Sequence, residues 1–192
     1  MGKIVISQNV TLDGVVQDPT GDEGFSHGGW FEQFMGDDRE AWAEVGFKEA
    51  VDAEAFLMGR RSDEYLGSRW NSRTGAWADR LNGMPKYVVS STLDAPVWKN
   101  STVLGGDVVD EVSNLKNELD GEIVVPASRR LVRTLMEHHL ADELRLIVFP
   151  VVLGAGERLF AETGDKHPMR LVDSGRLGDG LAHLTYEFVK GH

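Results

Sequence analysis

The spacing of hydrophobic residues changes along the chain between a strand period and a helix period, and these changes mark the predicted elements. Short apolar runs rich in β-branched residues predict buried strands at 3–10, 55–58, 86–89, 102–104 and 123–125. Apolar residues three and four positions apart predict amphipathic helices at 37–53, 59–65, 107–119 and 128–139, with a short helix inside 67–85. Strands that alternate with helices favour an α/β fold around a mostly parallel sheet.

The stretch 121–160 contains the clearest strand–helix–strand unit. Its first strand is followed by Ser128, a residue type that favours the start of a helix. The second strand, predicted at 144–153, carries apolar residues on both faces and ends in a glycine turn at 154–156. Asp37 and Asp38 are expected in the same way to cap the helix that begins there. The crossover between two parallel strands is expected to be right-handed.

The C-terminal part alternates apolar and polar residues over 169–189. This period predicts an antiparallel hairpin at one edge of the sheet. The chain shows no internal repeat, low-complexity tract or linker. We therefore predict one domain, 1–192, with about eight strands and four or five helices.

A long loop rich in glycine, aspartate and aromatic residues follows the first strand. Gly14 comes after Asp13 in a turn sequence, and it either forms a tight bend at positive φ or lies in a loop at the mouth of a pocket. Long loops in compact domains are often functional, so Trp30 and Phe34 either line a flat substrate pocket or anchor the loop 17–36 to the core.

Small, hydroxyl and cationic residues follow three of the predicted strands. They form three segments: Gly59-Arg60-Arg61-Ser62, Ser90-Ser91-Thr92 and Pro126-Ala127-Ser128-Arg129. Ligands of α/β sheets bind at the carboxyl ends of strands, where helix N-termini and guanidinium groups attract anions. These junctions predict an anion site, although each arginine taken singly also fits a solvated surface position, and serines are common in turns.

Composition excludes several classes of function. The net charge of −11 argues against nucleic-acid binding, and the absence of cysteine removes disulfides and thiolate chemistry. No apolar run reaches the length of about 18 residues that a membrane span needs, and no signal peptide is visible, so a cytoplasmic protein is expected. The adjacent pair His138-His139 cannot face one metal from a helix, so no metal site is expected.

Several pieces of the chain resemble one family. They include Leu12-Asp13-Gly14, Met58-Gly59-Arg60, the segment 85–90, and above all the stretch from Leu131 to Phe160 with its P-V-V-L-G-x-G sequence. These pieces are similar to the dihydrofolate reductase-like family named for the C-terminal reductase domain of the bifunctional riboflavin-biosynthesis deaminase-reductase, and in particular to its small stand-alone bacterial members. The resemblance implies a dihydrofolate reductase fold, NADPH as hydride donor and a homodimer.

The resemblance also implies roles for individual residues. The cofactor-binding residues would be Gly59, Arg60, Arg61, Ser62, Ser90, Ser91, Thr92, Val125, Pro126, Ala127, Ser128 and Arg129. Asp13 is the candidate catalytic residue, as proton donor, with a water molecule as the alternative donor, and Gly14, Trp30 and Phe34 would line the substrate pocket. The chain departs from the family at Pro126-Ala127, where glycines are usual. As a consequence, Ala127 adds a methyl group and Pro126 removes a backbone N–H donor.

The expected activity is reduction of a small heterocyclic or carbonyl substrate by NADPH. The resemblance makes it similar to 5-amino-6-(5-phosphoribosylamino)uracil reductase or to dihydrofolate reductase. The alternative is a non-catalytic ligand-binding protein with a degraded nucleotide site, which the departure at Pro126 and Ala127 would explain. Fold resemblance alone does not identify a substrate.

Overall fold

The computed structural model describes residues 1–160 and 165–189. Its strands are β1 (Lys3–Thr11), β2 (Ala53–Gly59), β3 (Lys86–Val89), β4 (Ser101–Leu104), β5 (Glu122–Pro126), β6 (Glu143–Phe149), β7 (Met169–Leu177) and β8 (Leu181–Phe188). Its α-helices are α1 (Trp30–Met35), α2 (Arg39–Asp52), α3 (Arg60–Trp70), α4 (Ala76–Gly83), α5 (Val108–Glu118) and α6 (Arg129–Glu137).

The strands belong to one eight-stranded sheet with the order β4-β3-β2-β5-β1-β6-β8-β7. Strand β2 pairs in parallel with β3 and β5, and β3 pairs in parallel with β4. The C-terminal strands differ, because β8 pairs antiparallel with both β6 and β7. The predicted α/β class, the mostly parallel sheet and the C-terminal hairpin are therefore confirmed.

The chain divides into two compact units. The first contains residues 1–6 and 46–142, and the second contains 7–45 together with the described part of 143–192. The predicted extent of a single domain, 1–192, includes 161–164 and 190–192, which lie outside the described residues, and it stays a prediction.

The first unit is built on the parallel strands and the helices that follow them. Its core includes Phe56, Met58, Val88 and Val124 from the strands, with Trp98 packed among them at 2% exposure. Helix α6 buries the predicted apolar stripe, Leu131, Val132, Leu135 and Met136. Burial of one such stripe supplies most of the stability of a short helix.

The second unit has an aromatic core. Trp30 packs edge-on against Phe149, with their ring centroids 5.3 Å apart. Phe31 contacts Phe149 and Trp42, and Leu181 of β8 is buried in the same cluster. Aromatic pairs in these geometries add to the free energy of burial.

Two predicted boundaries were wrong. Strand β6 ends at Phe149, four residues before the predicted end, because Pro150 has no N–H for a strand ladder. Residues 30–35 of the predicted loop form helix α1.

A 3₁₀ turn at Gly36–Asp38 precedes α2, and the Asp38 carboxylate accepts hydrogen bonds from the backbone N–H groups of Asp179 and Gly180 at 2.8 and 2.7 Å. Asp38 therefore holds the β7–β8 turn.

Candidate cofactor site

Three strand ends in the first unit carry the predicted anion-binding segments. The register aligns Gly59 of β2 with Val89 of β3, and Phe56 of β2 with Val124 of β5. The strands are parallel, so their carboxyl ends lie at the same edge of the sheet, as ligand sites of α/β proteins require. The sequence prediction that these junctions meet at one edge is consistent with this register.

The hydroxyl of Ser128 joins two of the junctions. The Gly59 N–H donates to Ser128 Oγ at 3.1 Å, and Ser128 Oγ donates to Ser62 Oγ at 2.8 Å. Ser128 stands at the position before α6, as predicted, but its side chain makes no hydrogen bond that caps this helix. The expectation of a side-chain cap was therefore wrong, because the hydroxyl is directed to the β2–α3 junction instead.

The chain before α6 has a backbone conformation that usually requires glycine. Ala127 has φ 51° and Ser128 has φ 56°, both in the left-handed region, which is costly for residues with a side chain. Ala127 therefore has a backbone conformation that glycine adopts without this cost. Strain of this kind persists where the surrounding structure holds it, often at binding sites.

The segment Ser90–Thr92 contacts the segment Gly59–Ser62 through Arg60. Its Nη1 lies 3.5 Å from Thr92 Oγ1, and its Nε lies 3.3 Å from Glu64 Oε1, one helical turn along α3. The side chain of Arg60 is 48% exposed, and Arg61 beside it is exposed. These guanidinium groups stand at the N-terminus of α3, where the helix dipole also attracts an anion.

The remaining predicted residues divide into those with exposed groups and those without. Ser90 Oγ accepts hydrogen bonds from the N–H groups of Thr92 and Leu93 at 3.3 and 3.1 Å, which makes a local serine turn. Ser91 is exposed, Pro126 and Arg129 are partly buried, and Val125 is 0% exposed. Val125 therefore exposes neither its side chain nor its backbone to a ligand.

Sequence reasoning missed a buried carboxylate in the first turn of α3. Asp63 is 0% exposed and accepts from the N–H groups of Val97 and Trp98 at 2.7 and 3.0 Å. It fixes α3 against the segment that follows Thr92. An aspartate four residues after a strand is unremarkable in sequence, so only its buried contacts distinguish Asp63 from the exposed Arg61 and Glu64.

Asp13 lies in the second unit as an acceptor of several hydrogen bonds. It accepts from Thr11 Oγ at 2.7 Å and from the N–H groups of Leu153 and Gly154 at 3.2 and 2.9 Å, and Arg158 Nη2 lies 3.8 Å away. Burial raises the pKa of Asp13, but these hydrogen bonds outweigh it and leave the pKa below its usual value. The carboxylate is therefore ionised at neutral pH, which suits an anchor better than a proton donor.

The predicted substrate-pocket residues also lie in the second unit. Gly14 has φ 81°, as the tight-bend interpretation required. Trp30 is 0% exposed, and its indole N–H donates to the Gln17 carbonyl at 2.9 Å. Of the two predicted roles, the structure therefore favours the loop anchor for Trp30, since it has no exposed face. Phe34 is partly buried against the same aromatic cluster.

The described residues contain neither a metal-binding cluster nor a membrane-spanning helix. Within residues 1–160 and 165–189, no cluster of three or more His, Asp or Glu residues is arranged to hold a metal ion. No helix in the described part of the chain combines the length and the apolar character needed to cross a membrane.

Comparison with known proteins gives the family of the chain. The family model described as the RibD C-terminal domain matches residues 2–183. The uncharacterized protein YyaP of Bacillus subtilis (strain 168) is 23% identical over 97% of this chain and 95% of its own length. A Shewanella sp. PV-4 structure, called a putative riboflavin biosynthesis protein, has a TM-score of 0.76 at 19% identity and covers 98% of this chain and 99% of that one.

Dihydrofolate reductase is among the proteins with a similar fold. The enzyme from Enterococcus faecalis, solved with NADP(H) and RAB-propyl, has a TM-score of 0.64 at 14% identity and covers 98% of this chain and 97% of its own. At these identities the solved structures show the fold alone, and the predicted dihydrofolate reductase-like fold is confirmed. Because the family model spans nearly the whole chain, this protein belongs to the RibD C-terminal domain family.

Proposed function

We propose that this protein is an NADPH-dependent reductase of a small heterocyclic or carbonyl substrate. The observation that carries the proposal is the arrangement at one sheet edge, where Ser128 bonds to the Gly59–Ser62 junction and Arg60 lies beside Thr92. Membership in a reductase family and the NADP(H) bound by the similar Enterococcus faecalis enzyme support it. NADPH, when bound, supplies the hydride, and the protein supplies orientation and electrostatics.

The residues at this edge fit a dinucleotide phosphate. The Ser128 side chain makes no hydrogen bond that caps α6, and the N-terminus of a helix favours an anion such as a diphosphate. Ala127 and Ser128 keep the left-handed backbone that the family's glycines allow. Arg60, Arg61 and the hydroxyl of Thr92 offer the charge and hydrogen bonds that a 2′-phosphate needs.

The proton donor of the reaction is proposed to be a water molecule. Asp13 is held as an anion by Thr11, Leu153 and Gly154, and an ionised carboxylate has no proton to give. Its role as a catalytic residue remains a prediction. Once a substrate is identified, the pH dependence of its reduction rate would report the titration of Asp13 only if this carboxyl group transfers a proton.

The alternative is a non-catalytic ligand-binding protein in which the nucleotide site has degraded. This hypothesis depends on Pro126 and Ala127, where the chain departs from the family's glycines. The left-handed φ of Ala127 argues against it, because strained backbone of this kind persists mostly at functional sites. Cofactor binding by the wild-type protein decides between the two.

Calorimetric titration of NADPH and NADH tests the proposal. Removing one charge-assisted partner costs about 1.5–3 kcal/mol, so Arg60→Ala should weaken NADPH about 10- to 100-fold and leave NADH nearly unchanged. Arg39→Ala is the matched control, because it removes an exposed arginine that is paired with Glu32 elsewhere in the chain. Absence of NADPH binding to the wild-type protein would refute the proposed function.

A homodimer is proposed as the assembled state. Strand β7 is the last strand of the sheet, and its Leu171 and Val172 are 50% and 44% exposed. An exposed edge strand with apolar side chains is a natural surface for pairing with a second copy. Light scattering should give twice the chain mass of 21.2 kDa, and Leu171→Glu should shift the mass toward the monomer. A wild-type monomer at micromolar concentration contradicts the proposal.

A further inference from the structure

We propose that Ser128 is a positioning residue that holds the two phosphate-binding junctions of the cofactor site as one unit, an inference that rests on the proposed function. Its hydroxyl accepts from the Gly59 N–H at 3.1 Å and donates to Ser62 Oγ at 2.8 Å. These two bonds connect Ser128 to residues that lie 66 and 69 positions earlier in the sequence. They therefore act across the sheet edge and do not serve the turn that contains Ser128.

In these contacts the hydroxyl uses its one donor hydrogen and one of its two acceptor lone pairs. A serine hydroxyl has one donor hydrogen, and here that hydrogen is given to Ser62 while a lone pair takes the Gly59 N–H. Ser128 is thus committed to the protein and has no hydrogen left to donate to a phosphate oxygen. Its expected contribution to binding is indirect, through the placement of the backbone on either side.

The left-handed backbone of Ser128 makes this contact possible. At φ 56° and ψ 42°, the Ser128 side chain makes no hydrogen bond to the first N–H groups of α6. A serine in an ordinary N-cap conformation would satisfy one of these groups itself. The same geometry therefore directs the Ser128 hydroxyl to the neighbouring junction and away from the start of α6.

The partner junction contains the groups that Ser128 would position. Gly59 precedes α3 and has an extended backbone, and Ser62 is 7% exposed in the first turn of that helix. The arginines at 60 and 61 lie between these two contacts. Holding Gly59 and Ser62 fixes the first turn of α3 from both sides, so its N–H groups are placed before a ligand arrives, which lowers the cost of binding.

The inference predicts a specific pattern of cofactor affinities. Ser128→Gly keeps the left-handed conformation and removes the hydroxyl. We expect NADPH and NADH to bind about five- to tenfold more weakly, by the same factor, because both contain the diphosphate. Arg60→Ala should instead change the ratio of the two affinities. If the Ser128 hydroxyl only stabilised the fold, Ser128→Gly would lower thermal stability and leave the affinities for NADPH and NADH as in wild type.

Calorimetry on five proteins tests the inference: wild type, Ser128→Gly, Ser62→Ala, the double variant and Ser113→Ala. Ser62→Ala should weaken both cofactors less than Ser128→Gly does, and the double variant should match Ser128→Gly, because the two hydroxyls share one bond. Ser113→Ala is the control, since it removes a serine hydroxyl that bonds the Val109 carbonyl in α5, and it should bind both cofactors like wild type.

The outcomes separate the inference from the proposed function. Wild-type protein that binds neither cofactor refutes the proposed function, and this inference with it. Wild-type protein that binds NADPH, together with a folded Ser128→Gly variant of equal affinity, overturns the inference alone. If Ser128→Gly does not fold, Ser62→Ala decides, and unchanged affinity for both cofactors in that variant overturns the inference.

Discussion

Replacing Ala127 with glycine should leave the stability of the protein unchanged or raise it. Ala127 is exposed, so loss of its methyl group removes little buried surface. Its φ of 51° costs about 1–2 kcal/mol for a residue with a side chain, and glycine removes that cost. Glycine also increases the freedom of the unfolded chain, which lowers stability by about 0.4–1 kcal/mol. The difference is a net gain of about 0–1.5 kcal/mol.

A second alanine isolates the conformational effect. Ala155 is also exposed and lies in a loop, and it is not among the residues with positive φ in the described part of the chain. Ala155→Gly should therefore lower stability by about 0.4–1 kcal/mol, because it has the unfolded-state effect alone. The two variants should differ by the full left-handed cost of about 1–2 kcal/mol.

Urea unfolding, followed by tryptophan fluorescence and circular dichroism, measures both free energies. The change should appear in the transition midpoint with little change in its slope, because the exposed surface differs by one methyl group. If Ala127→Gly and Ala155→Gly lower stability equally, Ala127 does not have a left-handed backbone. A strained, left-handed turn before α6 would then be refuted.

Three further measurements test individual side chains. Asp13→Asn should lower the free energy of unfolding at neutral pH by about 1–2 kcal/mol, whereas Asp22→Asn, whose carboxylate accepts a similar bond from Thr20, should change it little. Because the pKa of Asp13 is lowered in the folded state, the stability that its carboxylate contributes is present above the unfolded-state pKa. This contribution should disappear as pH falls through the folded-state pKa. Lys86 is 0% exposed, and burial lowers its pKa from 10.5 to about 8; Asp63 opposes this shift and Arg80 adds to it. Between pH 8 and 10.5 the unfolded state therefore binds more protons than the folded state. The free energy of unfolding of the wild type should rise over this pH range by up to about 3 kcal/mol relative to Lys86→Met. Asp38→Ala should speed hydrogen exchange at the N–H groups of residues 179 and 180, which donate to its carboxylate, and unchanged exchange would contradict that role.

The sequence by itself determined the class of fold and the place of the candidate site. Apolar runs and helical spacing predicted the order of strands and helices because burial requires those periods whatever the tertiary arrangement. The buried stripe of α6 is one example, since all four predicted residues are buried. Hydroxyl and cationic residues after three strands were visible as a pattern, and the rule that ligands bind at strand carboxyl ends gave the pattern its meaning.

Only the tertiary structure decided what individual polar side chains do. Ser128 and Asp38 both precede helices and both match a cap in sequence, yet their oxygens bond to groups 66 to 69 and 141 to 142 residues away. Asp13 and Trp30 likewise looked suited to a reaction pocket, and their contacts instead favour an ionised anchor and a core residue. Local propensity acts over a few residues, whereas these partners come together only when distant segments pack, so a sequence pattern predicts the position of such groups but not their hydrogen bonds.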